Sequence, residues 1–87
     1  MIELGGNISL EGFENIEPGA LVVIKKIVGN YVKKISESIN FEKLHVILKK
    51  ERPYDLEVKL ISDGNNKTSE SKDGNLFFAL DKALSKL

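Results

Sequence analysis

The amino-acid sequence predicts an α+β fold in the order β-α-β-β-β-α, with a four-stranded mixed sheet and two helices packed on one face. Apolar residues recur at helical spacing in residues 20–39 and 76–87. They alternate with polar residues near the start of the chain and again in residues 43–50 and 54–61. A chain of 87 residues is enough for one domain, so we expect a single α+β domain over residues 1–87.

The first strand is predicted from alternation in the opening segment. Its apolar positions are Ile2, Leu4, Ile8 and Leu10, with polar residues between most of them. This is the period of a half-buried strand. The "GGN" stretch at 5–7 interrupts the pattern, and we expect a bulge or a bend there.

The first helix is predicted to begin near Pro18 and to stop at "NFEK", residues 40–43. Proline suits the first helical position because its missing N–H costs nothing there, and Glu14 and Glu17 suit the positive end of the helix dipole. The apolar face comprises Ala20, Ile24, Ile27, Val28, Tyr31, Ile35 and Ile39. Gly29 costs roughly 1 kcal/mol relative to alanine, so tertiary packing must hold this helix.

Residues 43–50 ("KLHVILKK") and 54–61 ("YDLEVKLI") each alternate as strands and are joined by the charged turn "KERP", which predicts a hairpin. The "SDGNN" stretch at 62–66 predicts a further turn. In the "KTSESK" stretch that follows it, the positions that would face either side of a strand are all polar, and we interpret it as a fourth, edge strand.

The last helix is predicted from an apolar stripe that follows two candidate caps, Asp73 and Asn75. The stripe comprises Leu76, Phe77, Leu80, Ala83, Leu84 and Leu87. The element order predicts a parallel crossover between the first two strands and an antiparallel meander after it. Both helices would then cover one face of the sheet, leaving a mostly polar open face that contains Ile47 and Ile61.

Composition limits the classes of function. Thirteen basic and thirteen acidic residues give a formal net charge of zero, so affinity for nucleic acid would depend on how charge is distributed. The absence of cysteine excludes disulfides and thiolate chemistry and fits a reducing interior. No basic segment followed by an apolar segment opens the chain, so we expect a cytoplasmic location. The apolar runs are far shorter than the roughly 20 residues that span a bilayer, so we expect no membrane partner.

Catalytic and metal-binding patterns are not found in the sequence. His45 is the single histidine and falls mid-strand, so neither a histidine metal cluster nor a nucleophile with a histidine partner is supported. The glycine-containing stretches at 5–7 and 63–66 lack the pattern of a phosphate loop. We therefore predict no enzyme activity, no cofactor and no metal site.

Lysine pairs on the first helix are the main functional signal. At about 100° per residue, Lys25, Lys26 and Lys33 fall within one sector of roughly 100°, with Lys34 just beyond it and no acid between Pro18 and Ser36. Such a face either binds a phosphate backbone or is simply solvated. Further candidate RNA-binding residues lie at the hairpin turn and on the last helix: Lys49, Lys50, Arg52, Lys82 and Lys86.

Four stretches carry a resemblance over nearly the whole chain: "IELGGN", "ALVVIKKIVGNYVKKI", "LHVILKKE" and "NLFFALDKALSKL". Together with the element order, they resemble the family of ribosome hibernation-promoting factors and ribosome-associated inhibitors, whose domain binds the small ribosomal subunit. The resemblance implies binding in the decoding and mRNA channel and blocking of translation. It implies contact residues on the two helices: Lys25, Lys26, Lys33, Lys34, Lys82 and Lys86.

Two alternatives remain open from the sequence. Double-stranded RNA-binding domains share the α-β-β-β-α part, although no basic residue precedes Lys82 on the last helix. The main rival is a protein-interaction module that homodimerises through the open sheet face around Ile47 and Ile61. We predict a non-catalytic protein that binds the small ribosomal subunit or another structured RNA, of the translation-silencing type.

Overall fold

A computed structural model describes residues 2–4, 7–38, 40–62 and 64–87. In these ranges it has strands β1 (Ile2–Glu3), β2 (Ile8–Glu11), β3 (Lys43–Lys50), β4 (Tyr54–Ser62) and β5 (Asn65–Asp73), and helices α1 (Pro18–Ser38) and α2 (Leu76–Ser85). The strands form one sheet in chain order. β2 and β3 are parallel, and the other neighbours are antiparallel. The predicted α+β class and mixed sheet are confirmed.

The predicted count of four strands differs from the structure, because the first predicted strand is two strands. β1 pairs antiparallel with β2, placing Ile2 opposite Leu10, and the Leu4 N–H donates to the Ile8 carbonyl at 2.8 Å. Alternation of side chains holds in both arms of a hairpin, so the sequence pattern does not distinguish a hairpin from one long strand. The bulge or bend predicted at Gly5 and Gly6 lies outside the described residues.

The polar stretch at 67–72 is confirmed as part of β5, and its two inward serines explain how α2 packs on it. The Ser69 hydroxyl donates to the Ala83 carbonyl of α2, and the Ser71 hydroxyl donates to the Ala79 carbonyl. Both alanines are fully buried. Small residues on the strand and on the helix let the two backbones come close, so the inner face of this polar strand belongs to the interior while most of its other residues are exposed.

The core lies between the two helices and the inner face of the sheet. Ile24 and Val28 are the fully buried residues of α1, and Phe13, in the loop between β2 and α1, is fully buried as well. The buried apolar residues are Leu10, Phe13, Ile24, Val28, Leu44, Val46, Leu48, Leu56, Val58, Leu60, Leu76, Ala79, Leu80, Ala83 and Leu84. Strand alternation predicted the members from β3 and β4, whereas Phe13 belongs to no periodic pattern.

The two helices have their N-terminal ends at the same end of the sheet. Ala20 of α1 and Phe77 of α2 line one groove together with Tyr54, just after the β3–β4 turn. Tyr31 of α1 lines a second groove with Leu87, beyond the end of α2. The helices therefore run side by side in the same direction, and the outer face of α1 extends from the β3–β4 turn toward the β4–β5 turn.

Candidate nucleic-acid interface

The outer face of α1 carries four exposed lysines, which we call the basic face: Lys25, Lys26, Lys33 and Lys34. The helix directs Ile24 and Val28 into the core, so the lysines at neighbouring positions point to solvent. Within the described part of the chain, none of the four forms an ion pair.

The four lysines are close enough to one another for their electric fields to add. Lys25 and Lys34 are nine residues apart, which is about 14 Å along a helix axis. A phosphate midway along this length would be about 7 Å along the axis from either end, which is within the Debye length of about 8 to 10 Å at moderate salt, so the fields of the lysines add there. The segment from Pro18 to Ser36 has no acidic residue to oppose them. The basic face therefore suits a polyanion.

The basic residues at the β3–β4 turn divide into two kinds. Lys50 and Arg52 are exposed and, among the described residues, have no ion-pair partner. They lie at the end of the sheet near the start of α1. Lys49 instead lies on the open sheet face, with its Nζ 3.2 Å from Glu70 Oε1 and 3.6 Å from Glu57 Oε2.

The hydrogen bond between Lys49 and Glu70 acts on both groups. It raises the pKa of Lys49 above its usual value and lowers the pKa of Glu70 below its usual value. Each charged form is favoured by its partner. Lys49 is thus already engaged within the protein, unlike Lys50 and Arg52.

The two lysines of α2 are also engaged within the protein. Lys82 Nζ lies 2.7 Å from Asp73 Oδ2, and Lys86 Nζ donates to the Glu70 carbonyl at 2.8 Å. Both contacts are with β5, whereas Phe77 of α2 lines a groove together with α1. The structure therefore does not bring Lys82 and Lys86 together with the basic face. Their role in RNA binding stays a prediction.

Lys67 is the residue that the structure adds to the end of the basic face. It lies with Lys34 on a groove of about 340 Å³, which is also lined by Tyr31 and Leu60. The sequence placed Lys67 only beside the edge strand. No local pattern could have joined it to Lys34, because their proximity depends on how α1 crosses the sheet.

Charged side chains occupy the open sheet face and neutralise one another. The Glu57 side chain is only 15% exposed, and its oxygens lie 3.6 Å from Lys49 Nζ and 3.8 Å from Lys59 Nζ. His45 Nε2 lies 3.4 Å from Glu11 Oε1.

The apolar residues of this face do not form an exposed patch. Ile47 and Ile61 are half-buried. Among the described residues, the exposed large apolar side chains are Val22, Val23 and Phe78, all on the helices.

Neither an acidic metal cluster nor a membrane helix is found in the part of the chain that the structure describes. No group of three or more histidine, aspartate or glutamate side chains there could hold a metal ion. No described helix is both long and apolar enough to cross a membrane. The groove at the N-terminal ends of the helices, about 370 Å³, is lined by the acids Glu17 and Glu51 and by no basic residue. An anion is therefore better accommodated on the basic face than there.

Comparison with known proteins shows the fold. The sequence matches no protein-family model and no curated protein. A ribosomal subunit interface protein from Coxiella burnetii superposes with a TM-score of 0.68 at 10% identity, over 93% of this chain and 88% of that chain. The N-terminal domain of Thermus thermophilus Protein Y superposes with a TM-score of 0.70 at 18% identity, over 93% and 90% of the two chains. The resemblance predicted from the sequence is therefore confirmed at the level of the fold.

Proposed function

We propose that this protein is a non-catalytic, ribosome-associated factor that binds structured RNA of the small ribosomal subunit through the basic face of α1. The single observation that carries the proposal is the basic face itself. Its four lysines are exposed, lie within about 14 Å of helix, and have no ion-pair partner among the described residues. The shared fold with a protein described as a ribosomal subunit interface protein supports the choice of partner.

The chemistry of the face favours recognition of shape over sequence. Lysine is a compact point charge that binds phosphates without the planar fork of arginine. Phosphate contacts position a protein on nucleic acid but carry no sequence information directly. A helix face of this kind therefore suits the backbone of a folded RNA. Lys50 and Arg52, at the β3–β4 turn near the start of α1, would contact a second backbone segment.

Silencing of translation follows from the position that the proposal gives to the domain. A domain held on the decoding and mRNA channel of the small subunit would exclude mRNA by occupying the same space. Location in the cytoplasm follows from the location of the ribosomes. The resemblance seen in the sequence is the ground for this finer part of the proposal.

The other candidate functions have less support. Homodimerisation through the open sheet face would have to displace the charge pairs around Glu57, and Ile47 and Ile61 offer little exposed apolar surface. A double-stranded RNA-binding role for Lys82 would require it to release Asp73. Homodimerisation remains as an outcome of the experiment that follows.

Co-sedimentation with ribosomal subunits across a salt series tests the proposal. We expect the purified protein to pellet with the small subunit at low salt and to be released as salt rises, because phosphate binding displaces counterions. A triple substitution of Lys25, Lys26 and Lys33 to Glu should abolish pelleting while circular dichroism shows a folded protein.

The matched control replaces Lys43, Lys59 and Lys72 by Glu, which changes the net charge by the same amount but on the open sheet face. Circular dichroism must show that this variant is folded too, because Lys59 lies 3.8 Å from Glu57. This variant should still pellet if the basic face is the contact surface. Equal loss in both variants would show a non-specific charge effect and contradict the proposal. Failure of the wild-type protein to pellet at low salt would also contradict it, and dimers seen by sedimentation velocity would then favour the open sheet face.

A further inference from the structure

Gly29 lies at the centre of the basic face. Lys25 and Lys26 precede it by four and three residues, and Lys33 follows it by four, so all three are its neighbours on the helix surface. Val22, Lys26, Gly29 and Lys33 form one straight stripe along α1. Gly29 is exposed, and the helix backbone is bare at this point.

Nothing among the described residues requires a glycine at this position. Glycine is the least favourable helix-interior residue after proline, and Gly29 is near the middle of α1. Positive φ angles occur at Gly12 and Gly64 among the described glycines, but not at Gly29. Apart from the backbone of α1 itself, a Cβ built on Gly29 would meet no atom of the described residues within 4 Å, whether from the core or from the neighbouring lysines.

The three usual reasons for a helix glycine are therefore missing at Gly29 in the part of the chain that the structure describes. These reasons are a left-handed backbone, a close approach of another element and a helix end. The remaining reason is a close approach of something outside the chain. The lysines around Gly29 indicate that this partner is an anion, because their positive charges would all attract it.

We propose that Gly29 is the point at which an RNA phosphate backbone comes closest to α1. This inference rests on the proposed function and adds a contact that charge alone does not require. The Cα atoms of a helix lie on a cylinder of about 2.3 Å radius, whereas side chains extend the helix to about 5 to 6 Å. At Gly29 a phosphate reaches the inner surface, where its oxygens contact the Cα hydrogens while the surrounding lysines hold its charge.

The resulting prediction separates stability from binding. The change Gly29→Ala should raise the melting temperature of the free protein by about 4 to 8 °C, because it removes the conformational freedom of glycine from a helix interior. The same change should weaken binding to the small subunit several-fold, since the added methyl group lies where the phosphate would be. Gly29→Leu should weaken binding further.

Gly19→Ala is the matched control. Gly19 is in the first turn of the same helix, about 15 Å from Gly29, and a Cβ there would meet only Glu17 Oε1 at 4.0 Å. This variant should bind as the wild-type protein does. The readouts are thermal unfolding by circular dichroism and dissociation constants for small subunits at two salt concentrations.

The outcomes distinguish this inference from the proposed function. If the wild-type protein and Gly29→Ala bind equally and the lysine triple variant does not, the basic face is a contact surface and the role of Gly29 is refuted. If the wild-type protein itself does not bind, the proposed function fails. Equal weakening by Gly19→Ala and Gly29→Ala would assign the effect to helix stiffness and overturn the inference.

Discussion

Gly12 connects β2 to the loop that contains Phe13, whose side chain is buried in the core. Its φ angle is 84°, and a Cβ at this position would lie 2.5 Å from the Leu48 carbonyl oxygen in β3. Gly64 has a similar φ angle of 79°, but a Cβ there would meet no atom of the described residues within 4 Å beyond its chain neighbours. The two glycines share a backbone conformation and differ in their surroundings.

We predict that Gly12→Ala destabilises the protein more than Gly64→Ala does. The left-handed conformation alone costs roughly 1 to 2 kcal/mol for a residue with a Cβ, which is the expected cost at Gly64. At Gly12 the clash with a strand carbonyl adds to it, because β3 is held between β2 and β4 and does not yield easily. Urea unfolding of both variants measures the difference, and equal losses would show that the clash is relieved.

Asp73 stabilises the start of α2 through both of its carboxylate oxygens. Its Oδ2 pairs with Lys82 Nζ at 2.7 Å, and its Oδ1 accepts the Asn75 N–H at 2.9 Å. Asn75 in turn caps α2 by accepting the Phe78 N–H at 3.1 Å. The hydrogen bond from Lys82, followed by that from the Asn75 backbone, lowers the pKa of Asp73 below its usual value of 3.8.

This lowered pKa predicts an acid dependence of stability. The unfolded chain binds a proton at Asp73 more readily than the folded protein, so the stabilisation is complete above the unfolded pKa and is lost as pH falls through the folded one. The free energy of unfolding of Asp73→Asn should be below that of the wild type near neutral pH and should converge with it at low pH. Urea unfolding between pH 2.5 and 7 measures this difference.

A double-mutant cycle with Lys82→Met tests the cause. If Lys82 is the main source of the effect, Asp73→Asn should have little further effect on the acid dependence once Lys82 is replaced. A curve for Asp73→Asn that stays parallel to the wild-type curve down to pH 2.5 would contradict the prediction.

At the scale of elements, the contact between β5 and α2 depends on small residues. Ser71 donates to the Ala79 carbonyl across this contact, and both residues are buried. Ser71→Ala should cost about 1 kcal/mol, the usual net value of a hydrogen bond. Ser71→Leu should cost more, because the larger side chain pushes α2 from the sheet.

Thr68→Leu is the control for this contact, since Thr68 lies on the same strand and is exposed. It should leave the free energy of unfolding nearly unchanged, because surface substitutions usually have effects within about 0.5 kcal/mol. Similar losses for Thr68→Leu and Ser71→Leu in urea unfolding would mean that strand propensity, and not packing under α2, limits this position.

At the scale of the whole molecule, charge is separated by surface although the formal net charge is zero. The basic face of α1 has no acidic partner among the described residues, whereas the acids Glu57 and Glu70 on the open sheet face are paired with lysines. A neutral protein can therefore present a locally positive surface to a polyanion.

This separation predicts the salt dependence of binding. Each lysine that neutralises a phosphate contributes roughly 0.7 to 0.9 to the slope of log affinity against log salt concentration. Replacing Lys25, Lys26 and Lys33 by Gln should therefore reduce the slope by about 2 to 3. Gln at Lys43, Lys59 and Lys72 should leave it unchanged, and a slope that falls equally in both variants would place the phosphate contacts elsewhere.

Much of the fold follows from local patterns in the sequence. Pro18 marks the start of α1, the alternation in residues 43–50 and 54–61 marks β3 and β4, and Asn75 caps α2. The basic face is also a local property, because helical geometry alone places Lys25, Lys26 and Lys33 on one side. These features were predictable since each depends on residues within a few turns of one element.

The structure corrected the parts that depend on distant residues. The first strand is a hairpin, because β1 pairs back on β2. Phe13 enters the core from a loop with no periodic pattern. The serines of β5 are inside because small residues of α2 lie opposite them.

The sequence by itself determined the two helices, the strands β3 to β5, their order and the side of α1 on which the lysines lie. Only the tertiary structure decided which basic residues have partners within the chain: Lys49, Lys82 and Lys86 contact groups on β4 and β5, while the basic face has no such contacts among the described residues. The physical reason is that the periodicity of the sequence predicts only on which face of its own helix or strand a side chain lies. An ion pair depends on which other element lies opposite, and only the packing of the whole chain determines that.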